Sequence, residues 1–254
     1  MTDALFEILS NVRVADGIYE MTLKTDKLPP IKAGQFANVR VPDRGELTLR
    51  RPFGIYSVDK SQNSIKIGYA VKGEGTKAMA SLESGRRVQV LLPLGNGFPS
   101  VPKDKRILLV GGGVGVLPLL SVAETAENPV CACVGFRSAK FACKTDEMAA
   151  LAQKCVVATD DGTLGEKGYV ADVAKKHMDE FRPDVIFACG PEIMMKSLKR
   201  FSSLPIYVSL EQRMGCGMGA CLVCSRKIKS NDGEHYLRVC ADGPVFAFDE
   251  VYYD

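Results

Sequence analysis

The sequence predicts an α+β protein of several domains: an N-terminal antiparallel β-barrel, a doubly wound parallel α/β domain and a small C-terminal cysteine-rich module. Three observations predict this fold. Short alternating apolar segments fill the first part, uniformly apolar segments alternate with helical patterns in the second, and four of the nine cysteines follow residue 210. We place the domains at residues 1–99, 100–210 and 211–254.

The barrel is predicted from segments that alternate apolar and polar residues or are rich in β-branched residues. They are FEILSNVRV, GIYEMTLKT, GQFANVRV, NSIKIGYAV and RRVQVLLPLG, with a short helical stretch, TKAMASL, before the last. Many short strands with regular turn signals between them are typical of a small closed barrel.

The α/β domain is predicted from apolar runs that fit strands covered on both faces. These runs are RILLV, CACVGF, CVVAT, DVIFAC and IYVSL. Helical patterns, notably GYVADVAKKHMDEF and PEIMMKSLKRFSS, lie between them. Strands and helices in alternation indicate a parallel, doubly wound sheet.

Composition excludes several classes of function. The formal charge of the 254 residues is only +3, and the basic residues are dispersed, so we expect no nucleic-acid partner. No apolar run is long enough for a membrane span, and the N-terminus does not resemble a signal peptide, so we expect no membrane partner and a cytoplasmic location. An odd number of cysteines in such a chain argues against a disulfide framework.

Four cysteines near the C-terminus have the spacing C-x4-C-x2-C, followed by a fourth cysteine after fifteen residues. This is the spacing of plant-type [2Fe–2S] sites, and the residues are Cys216, Cys221, Cys224 and Cys240. Interleaved glycines permit close backbone approach, so that amide N–H groups can point at the sulfurs. Structural zinc is an alternative, although it typically uses two C-x2–4-C pairs. Unliganded core cysteines are a second alternative, and we interpret the other five cysteines in this way.

A glycine-rich turn follows the buried strand RILLV and opens a helix. Its glycines are Gly111, Gly112, Gly113 and Gly115. Backbone N–H groups at such a strand–turn–helix junction bind a phosphate or pyrophosphate, so we expect a nucleotide here. A tight turn without a ligand is the alternative, because the pattern is not a strict G-x-G-x-x-G. The next strand ends near Arg137 without an acidic residue, which leaves NADH and NADPH both open.

The order of three further segments resembles the ferredoxin–NADP reductase superfamily. They are Arg50 to Ile55, which we place at the end of a barrel strand, Lys72 to Thr76 at a helix start, and Ala188 to Pro191 after a strand. Together with the C-terminal cysteines, the chain is similar to the electron transfer subunits of type B dihydroorotate dehydrogenases. The most specific segments are residues 159–162 (TDDG), 209–217 (SLEQRMGCG) and 239–246 (VCADGPVF).

The resemblance implies the cofactor-binding residues. FAD would be held by Arg51, Pro52, Phe53 and Gly54, with the guanidinium of Arg51 on the pyrophosphate, and by Tyr69, Ala70, Val71, Gly75 and Thr76. The nicotinamide would face Cys189, Gly190 and Pro191, which places Cys189 near the hydride path. A solvated Arg51, a core Tyr69 and a merely buried Cys189 are the alternatives. The family often has serine where this chain has Gly54.

The resemblance also implies the reaction and the partner. Electrons from dihydroorotate would reach FMN on a separate TIM-barrel subunit, then [2Fe–2S], then FAD, then NAD⁺, in pyrimidine biosynthesis. Two copies of each subunit would form a heterotetramer. Alternatives are an FAD/[2Fe–2S] subunit of a hydrogenase-type or transhydrogenase-type complex, and a zinc-stabilised, non-enzymatic nucleotide-binding protein.

Overall fold

A computed structural model describes residues 1–42, 45–230 and 233–253, with only the backbone of Ser230. It contains a closed six-stranded barrel, a seven-stranded mainly parallel sheet with flanking helices, and a two-stranded hairpin. The predicted fold class is therefore confirmed. Among the helices of these residues, none is both long and apolar enough to cross a lipid bilayer.

The barrel closes in the strand order β1-β2-β5-β4-β3-β6. Alternate apolar residues point inward, as Phe6 and Ile8 on one strand and Met21 and Leu23 on the next are buried. The strands are β1 Thr2–Ala15, β2 Ile18–Lys24, β3 Phe36–Val39, β4 Arg51–Asp59, β5 Ser64–Ala70 and β6 Arg87–Leu94, and helix α1 is Glu74–Ala80.

Strand β4 corrects one sequence-based expectation. We expected the segment from Arg50 to Ile55 at the end of a strand, but Arg51 begins β4, which continues to Asp59. Pro52 and Gly54 weaken the strand signal in the sequence. Antiparallel pairing with β3 and β5 nevertheless holds this segment as a strand.

The seven-stranded sheet has the order β10-β9-β8-β7-β11-β12-β15. The chain thus winds outward from β7 in one direction and then returns to place β11 on its other side. The elements are β7 Ile107–Gly112, α2 Val116–Thr125, β8 Val130–Phe136, α3 Thr145–Leu151, β9 Lys154–Thr159, β10 Glu166–Lys167, α4 Val170–Phe181, β11 Val185–Cys189, α5 Glu192–Phe201 and β12 Ile206–Ser209.

The C-terminal segment joins this sheet rather than standing apart. Its last strand, β15 (Val245–Ala247), pairs antiparallel with β12 at the sheet edge, and the hairpin consists of β13 (Ser225–Ser230) and β14 (Gly233–Arg238). The division of the chain at residues 99 and 210 remains a proposal. The C-terminal segment has no core of its own, and pairing with this sheet edge can stabilise it.

Candidate functional site

A crevice runs between the barrel and the α/β domain. It has a larger cavity of about 1160 Å³ and a smaller one of about 260 Å³. The two cavities share five lining residues: Ala70, Lys72, Val114, Leu210 and Glu211. The two cavities are therefore adjacent.

The larger cavity opens at the carboxyl ends of β7 and β11, where the winding of the sheet reverses. Ligands of open α/β sheets bind at such a switch point. Of the expected nucleotide-binding residues, Gly112, Gly113, Gly190 and Pro191 line this cavity. These residues thus meet from two neighbouring strands, as a bound dinucleotide requires.

Gly111 and Gly115 do not line either cavity but permit the turn to pack. A Cβ atom at Gly111 would lie 3.0 Å from the Cα of Val116, and one at Gly115 would lie 2.6 Å from the carbonyl carbon of Cys189. Any larger residue at these two positions would force β7 or β11 away from the turn. These two glycines therefore affect nucleotide binding only indirectly.

The smaller cavity collects most of the expected flavin residues. Six of them line it, namely Pro52, Phe53, Gly54, Tyr69, Ala70 and Thr76, whereas Val71 lines the larger cavity. Cys189, which we expected at the nicotinamide, also lines the smaller cavity. The rings of Phe53 and Tyr69 lie 5.5 Å apart. The Tyr69 hydroxyl donates a hydrogen bond of 2.8 Å to Asn11 Oδ1, and burial raises its pKa above the ordinary value of 10.0, so it stays neutral. An apolar, aromatic cavity with few polar groups fits an isoalloxazine ring.

Arg51, the first residue of β4, does not line either of these cavities, but its side chain packs against Gly75 at the start of helix α1. A Cβ atom at Gly75 would come within 2.8 Å of the Arg51 guanidinium carbon, so the glycine provides the room for the arginine. The Thr76 hydroxyl accepts hydrogen bonds from the amides of Lys72 at 2.9 Å and Gly73 at 3.1 Å. A fixed guanidinium next to a helix start fits the pyrophosphate of FAD.

Cys189 ends β11 and is buried against the smaller cavity. Burial raises the pKa of its thiol to about 12, with a further increase from the charge of Glu211 and an opposing hydrogen bond from Ser209. The residue is therefore a neutral thiol at physiological pH. The thiol therefore presents an uncharged surface beside the cavity.

Backbone amides of the cysteine loop (residues 216–224) and of Cys240 donate hydrogen bonds to all four sulfurs. Cys216 Sγ accepts from the N–H groups of Met218, Ala220 and Cys221 at 3.3–3.4 Å, while Cys221, Cys224 and Cys240 Sγ each accept one from Cys216, Cys240 and Gly219. Gly217 and Gly219, at φ of 74° and 88°, make these turns. Burial raises the pKa of Cys216, but these amides outweigh it and lower the pKa to about 6. The loop therefore stabilises the thiolate of Cys216, whereas burial and the neighbouring thiol of Cys224 raise the pKa of Cys240 to about 12.

Backbone hydrogen bonds link the cysteines in two pairs. The N–H of Cys216 donates to Cys221 Sγ at 3.3 Å and that of Cys221 to Cys216 Sγ at 3.4 Å, while the N–H of Cys240 donates to Cys224 Sγ at 3.4 Å. Over residues 1–42, 45–230 and 233–253, no three or more His, Cys, Asp or Glu side chains are grouped for a single metal ion. A two-iron cluster takes two ligands on each iron, whereas zinc gathers four around one ion. The paired thiols fit the cluster better.

Several residues that line the crevice were not expected from the sequence. Gln212 and Met214 line the smaller cavity and lead directly to Cys216, and Asp160 and Arg137 line the larger one. The sequence carried a signal for three of these positions, since Gln212 and Met214 belong to the specific segment 209–217 and Asp160 belongs to the specific segment 159–162. Asn38, which contacts the cysteine loop from the barrel, carried no such signal.

Comparisons with known proteins decide the family. Residues 211–252 match the iron-sulfur cluster binding domain of dihydroorotate dehydrogenase B. The dihydroorotate dehydrogenase B (NAD(+)) electron transfer subunit of Bacillus velezensis is 41% identical over 99% of both chains. This chain belongs to the dihydroorotate dehydrogenase B electron transfer subunit family. The corresponding subunit of Streptococcus mutans is 39% identical over 97% of both chains.

Solved structures place this electron transfer subunit among NAD(P)H-linked flavoproteins. A structure of an NADH-dependent reduced ferredoxin-NADP oxidoreductase is 29% identical and has a TM-score of 0.86, covering 98% of this chain and 90% of that one. Phthalate dioxygenase reductase shares the fold, with a TM-score of 0.65 at 19% identity over 94% of this chain and 77% of that one. The predicted family resemblance, oxidoreductase class and cofactor set of FAD, [2Fe–2S] and NAD are confirmed.

Proposed function

We propose that this chain transfers electrons between NAD(H) and the FMN of a partner subunit that oxidises dihydroorotate. The observation that carries the proposal is the linear order of the three sites. The nucleotide cavity shares lining residues with the flavin cavity, and the chain that lines the flavin cavity at Gln212 and Met214 continues into Cys216. An electron path between a nicotinamide and a cluster needs this order.

The cofactors supply the redox chemistry, because a flavin exchanges two electrons as hydride with NAD(H) and single electrons with a cluster. The chain supplies position and environment. In the proposal Gly112, Gly113, Gly190 and Pro191 receive the dinucleotide, and the uncharged thiol of Cys189 borders the nicotinamide. Arg51, Gly75 and Thr76 hold the FAD pyrophosphate, while Pro52 to Gly54 and Tyr69 to Val71 border the flavin.

A catalytic partner follows from the family, whose members are named electron transfer subunits. The proposal specifies an FMN-containing dihydroorotate dehydrogenase subunit and two copies of each chain. Support comes from apolar residues that stand exposed around the cysteine loop: Met218 at 49%, Leu222 at 61% and Val223 at 58%. Such exposed apolar groups favour a protein interface. A cytoplasmic location stays a prediction from the sequence.

A second candidate is a subunit that serves another NADH-linked complex. The similarity to the NADH-dependent reduced ferredoxin-NADP oxidoreductase favours it, since that alignment also spans nearly the whole chain. The same three cofactors would be held, and only the partner would differ. Family membership argues against the zinc-stabilised, non-enzymatic alternative.

Co-expression with the dihydroorotate dehydrogenase catalytic subunit of the same genome tests the proposal. We expect a complex of two plus two chains that forms NADH from NAD⁺ when dihydroorotate is added, whereas either subunit alone does not. If the chain reduces an artificial one-electron acceptor with NADH but neither binds that subunit nor supports the dihydroorotate reaction, the second candidate replaces the first.

A further inference from the structure

Asn38 is a fully buried polar residue on barrel strand β3. Its neighbours Ala37 and Val39 pack inside the barrel, whereas Phe36, two positions before it, packs in the cluster of residues that includes Cys224 and Cys240. Because side chains alternate along a strand, Asn38 points out of the barrel in the same direction as Phe36. It therefore faces the cysteine-rich module.

The side chain of Asn38 meets the cysteine loop directly. Its Nδ2 donates a hydrogen bond of 3.3 Å to the carbonyl oxygen of Cys216. A Cβ atom at Gly217 would lie 3.2 Å from the Asn38 amide carbon and closer still to Nδ2. The glycine at the centre of the loop thus leaves the space that the asparagine fills.

The backbone of Asn38 meets the flavin segment. Asn38 pairs with Pro52 across the ladder of β3 and β4, and Phe36 pairs with Gly54. The side chain of one residue therefore contacts the loop proposed for the cluster, while its main chain pairs with the strand proposed for the flavin.

The side-chain oxygen of Asn38 is in an energetically unfavourable environment. Asn38 Oδ1 is buried and has no hydrogen-bond partner within residues 1–42, 45–230 and 233–253. Exchanging the amide oxygen and nitrogen would not help, since the nitrogen is needed to donate to the Cys216 carbonyl. A residue present only for packing would be apolar, because an unpaired buried acceptor is unfavourable. The presence of an amide here therefore indicates a role that an apolar side chain could not fill.

We propose that Asn38 is a positioning residue that fixes the cysteine loop against the flavin strand and thereby sets the properties of the cluster. The inference rests on the proposed cofactor sites. By holding the Cys216 carbonyl, Asn38 orients the peptide unit that precedes Gly217, so that the amides of Met218, Ala220 and Cys221 remain directed at Cys216 Sγ. Hydrogen bonds to cluster sulfurs tune the reduction potential.

The test substitutes Asn38→Leu, which keeps the branched shape and the number of side-chain heavy atoms and removes both polar atoms. We expect unfolding at about the same urea concentration, since removal of the unpaired Oδ1 offsets the lost hydrogen bond to the Cys216 carbonyl. We also expect a shifted midpoint potential in a redox titration followed by electron paramagnetic resonance. Loss of one hydrogen bond would change the electron distribution between flavin and cluster by about fivefold. Flavin reduction by NADH should keep its rate while cluster reduction slows.

A matched control is Asn128→Leu in the α/β domain. Asn128 Nδ2 donates to the carbonyls of Pro102 at 2.6 Å and Lys105 at 3.0 Å, far along the chain from the cysteines. This variant should lose stability and keep the wild-type potential. If Asn38→Leu keeps the wild-type potential and cluster reduction rate, or only loses stability, the positioning role is wrong. If the wild-type protein holds no iron, the proposed function itself fails, which is a separate result.

Discussion

Gly54 on barrel strand β4 and Pro118 in the first turn of helix α2 are in contact across the domain boundary. A Cβ atom at Gly54 would lie 2.8 Å from Cγ of Pro118. The family resemblance implied serine at this position, where this chain has glycine. The contact gives a structural reason for glycine, because the proline ring occupies the space that a side chain would need.

Gly54→Ser should therefore destabilise the protein by about 1–3 kcal/mol through overpacking and should reduce the bound flavin. Urea unfolding and flavin content measure the two effects. Pro118→Ala in the same chain should recover part of the loss, since the two residues share one contact. Gly45→Ala is the control, as a Cβ atom there has no neighbour within 4 Å. Additive effects of the two substitutions would contradict the proposed contact.

Arg51→Lys should weaken FAD binding although the charge is kept, because lysine lacks the planar fork that grips a pyrophosphate. A hydrogen bond to a charged group contributes about 1.5–3 kcal/mol, so affinity should fall about tenfold to a hundredfold. Fluorescence titration of the flavin-depleted protein measures it. The exposed Arg87, at the start of β6, provides the control Arg87→Lys. Equal flavin affinity of the Arg51 variant and the wild type would remove Arg51 from the site.

Cys221→Ala should remove iron and sulfide while FAD remains, because the exposed Cys221 thiol is a proposed ligand and the flavin lies in a separate cavity. Cys155→Ala, at a half-buried cysteine on β9, should keep the wild-type iron content. Iron and acid-labile sulfide assays on anaerobically prepared protein provide the measurement. A Cys221 variant that retains both would exclude the four-cysteine site.

Glu20 links the two domains in a pH-dependent way. This buried barrel carboxylate contacts the hydroxyl of Tyr56 and the ammonium of Lys144, which precedes α3. Burial raises the pKa of Glu20, but these contacts outweigh it and hold the pKa below the ordinary 4.5. Its stabilisation is therefore complete above pH 4.5 and is lost as the pH falls through the lower folded value.

Glu20→Gln should lower the free energy of unfolding by about 1–3 kcal/mol at neutral pH. The difference from wild type should shrink as the pH drops below 4.5, where the wild-type carboxylate becomes protonated. Urea unfolding over a pH series measures this dependence. The control is Glu83→Gln, at an exposed residue, which should show no such change with pH. A difference that is constant with pH would contradict the ionic role of Glu20.

Local patterns in the sequence were sufficient for the cysteine loop and for the glycine turn. The four cysteines lie within 25 residues, so their spacing and the glycines between them determine much of their arrangement. The glycines at the end of β7 and directly after it likewise mark a strand–turn–helix junction that the structure contains. In both segments the residues that matter are neighbours in the chain.

Features that depend on distant residues could not be predicted. Strand β15 has only three residues and is defined by pairing with β12, not by any periodicity. Asn38 and Cys216 are 178 positions apart, so nothing local connects them. The same holds for Gly54 and Pro118. Such contacts arise from the packing of barrel, sheet and module, which pattern and propensity do not encode.

The most direct measurement of the central claim is the visible absorption spectrum of the purified chain, with iron, sulfide and zinc assays, before and after addition of NADH. The account predicts a brown protein with flavin and iron–sulfur absorption bands that lose intensity when NADH is added. A colourless protein that contains zinc, or a flavoprotein without iron after anaerobic preparation, would contradict it.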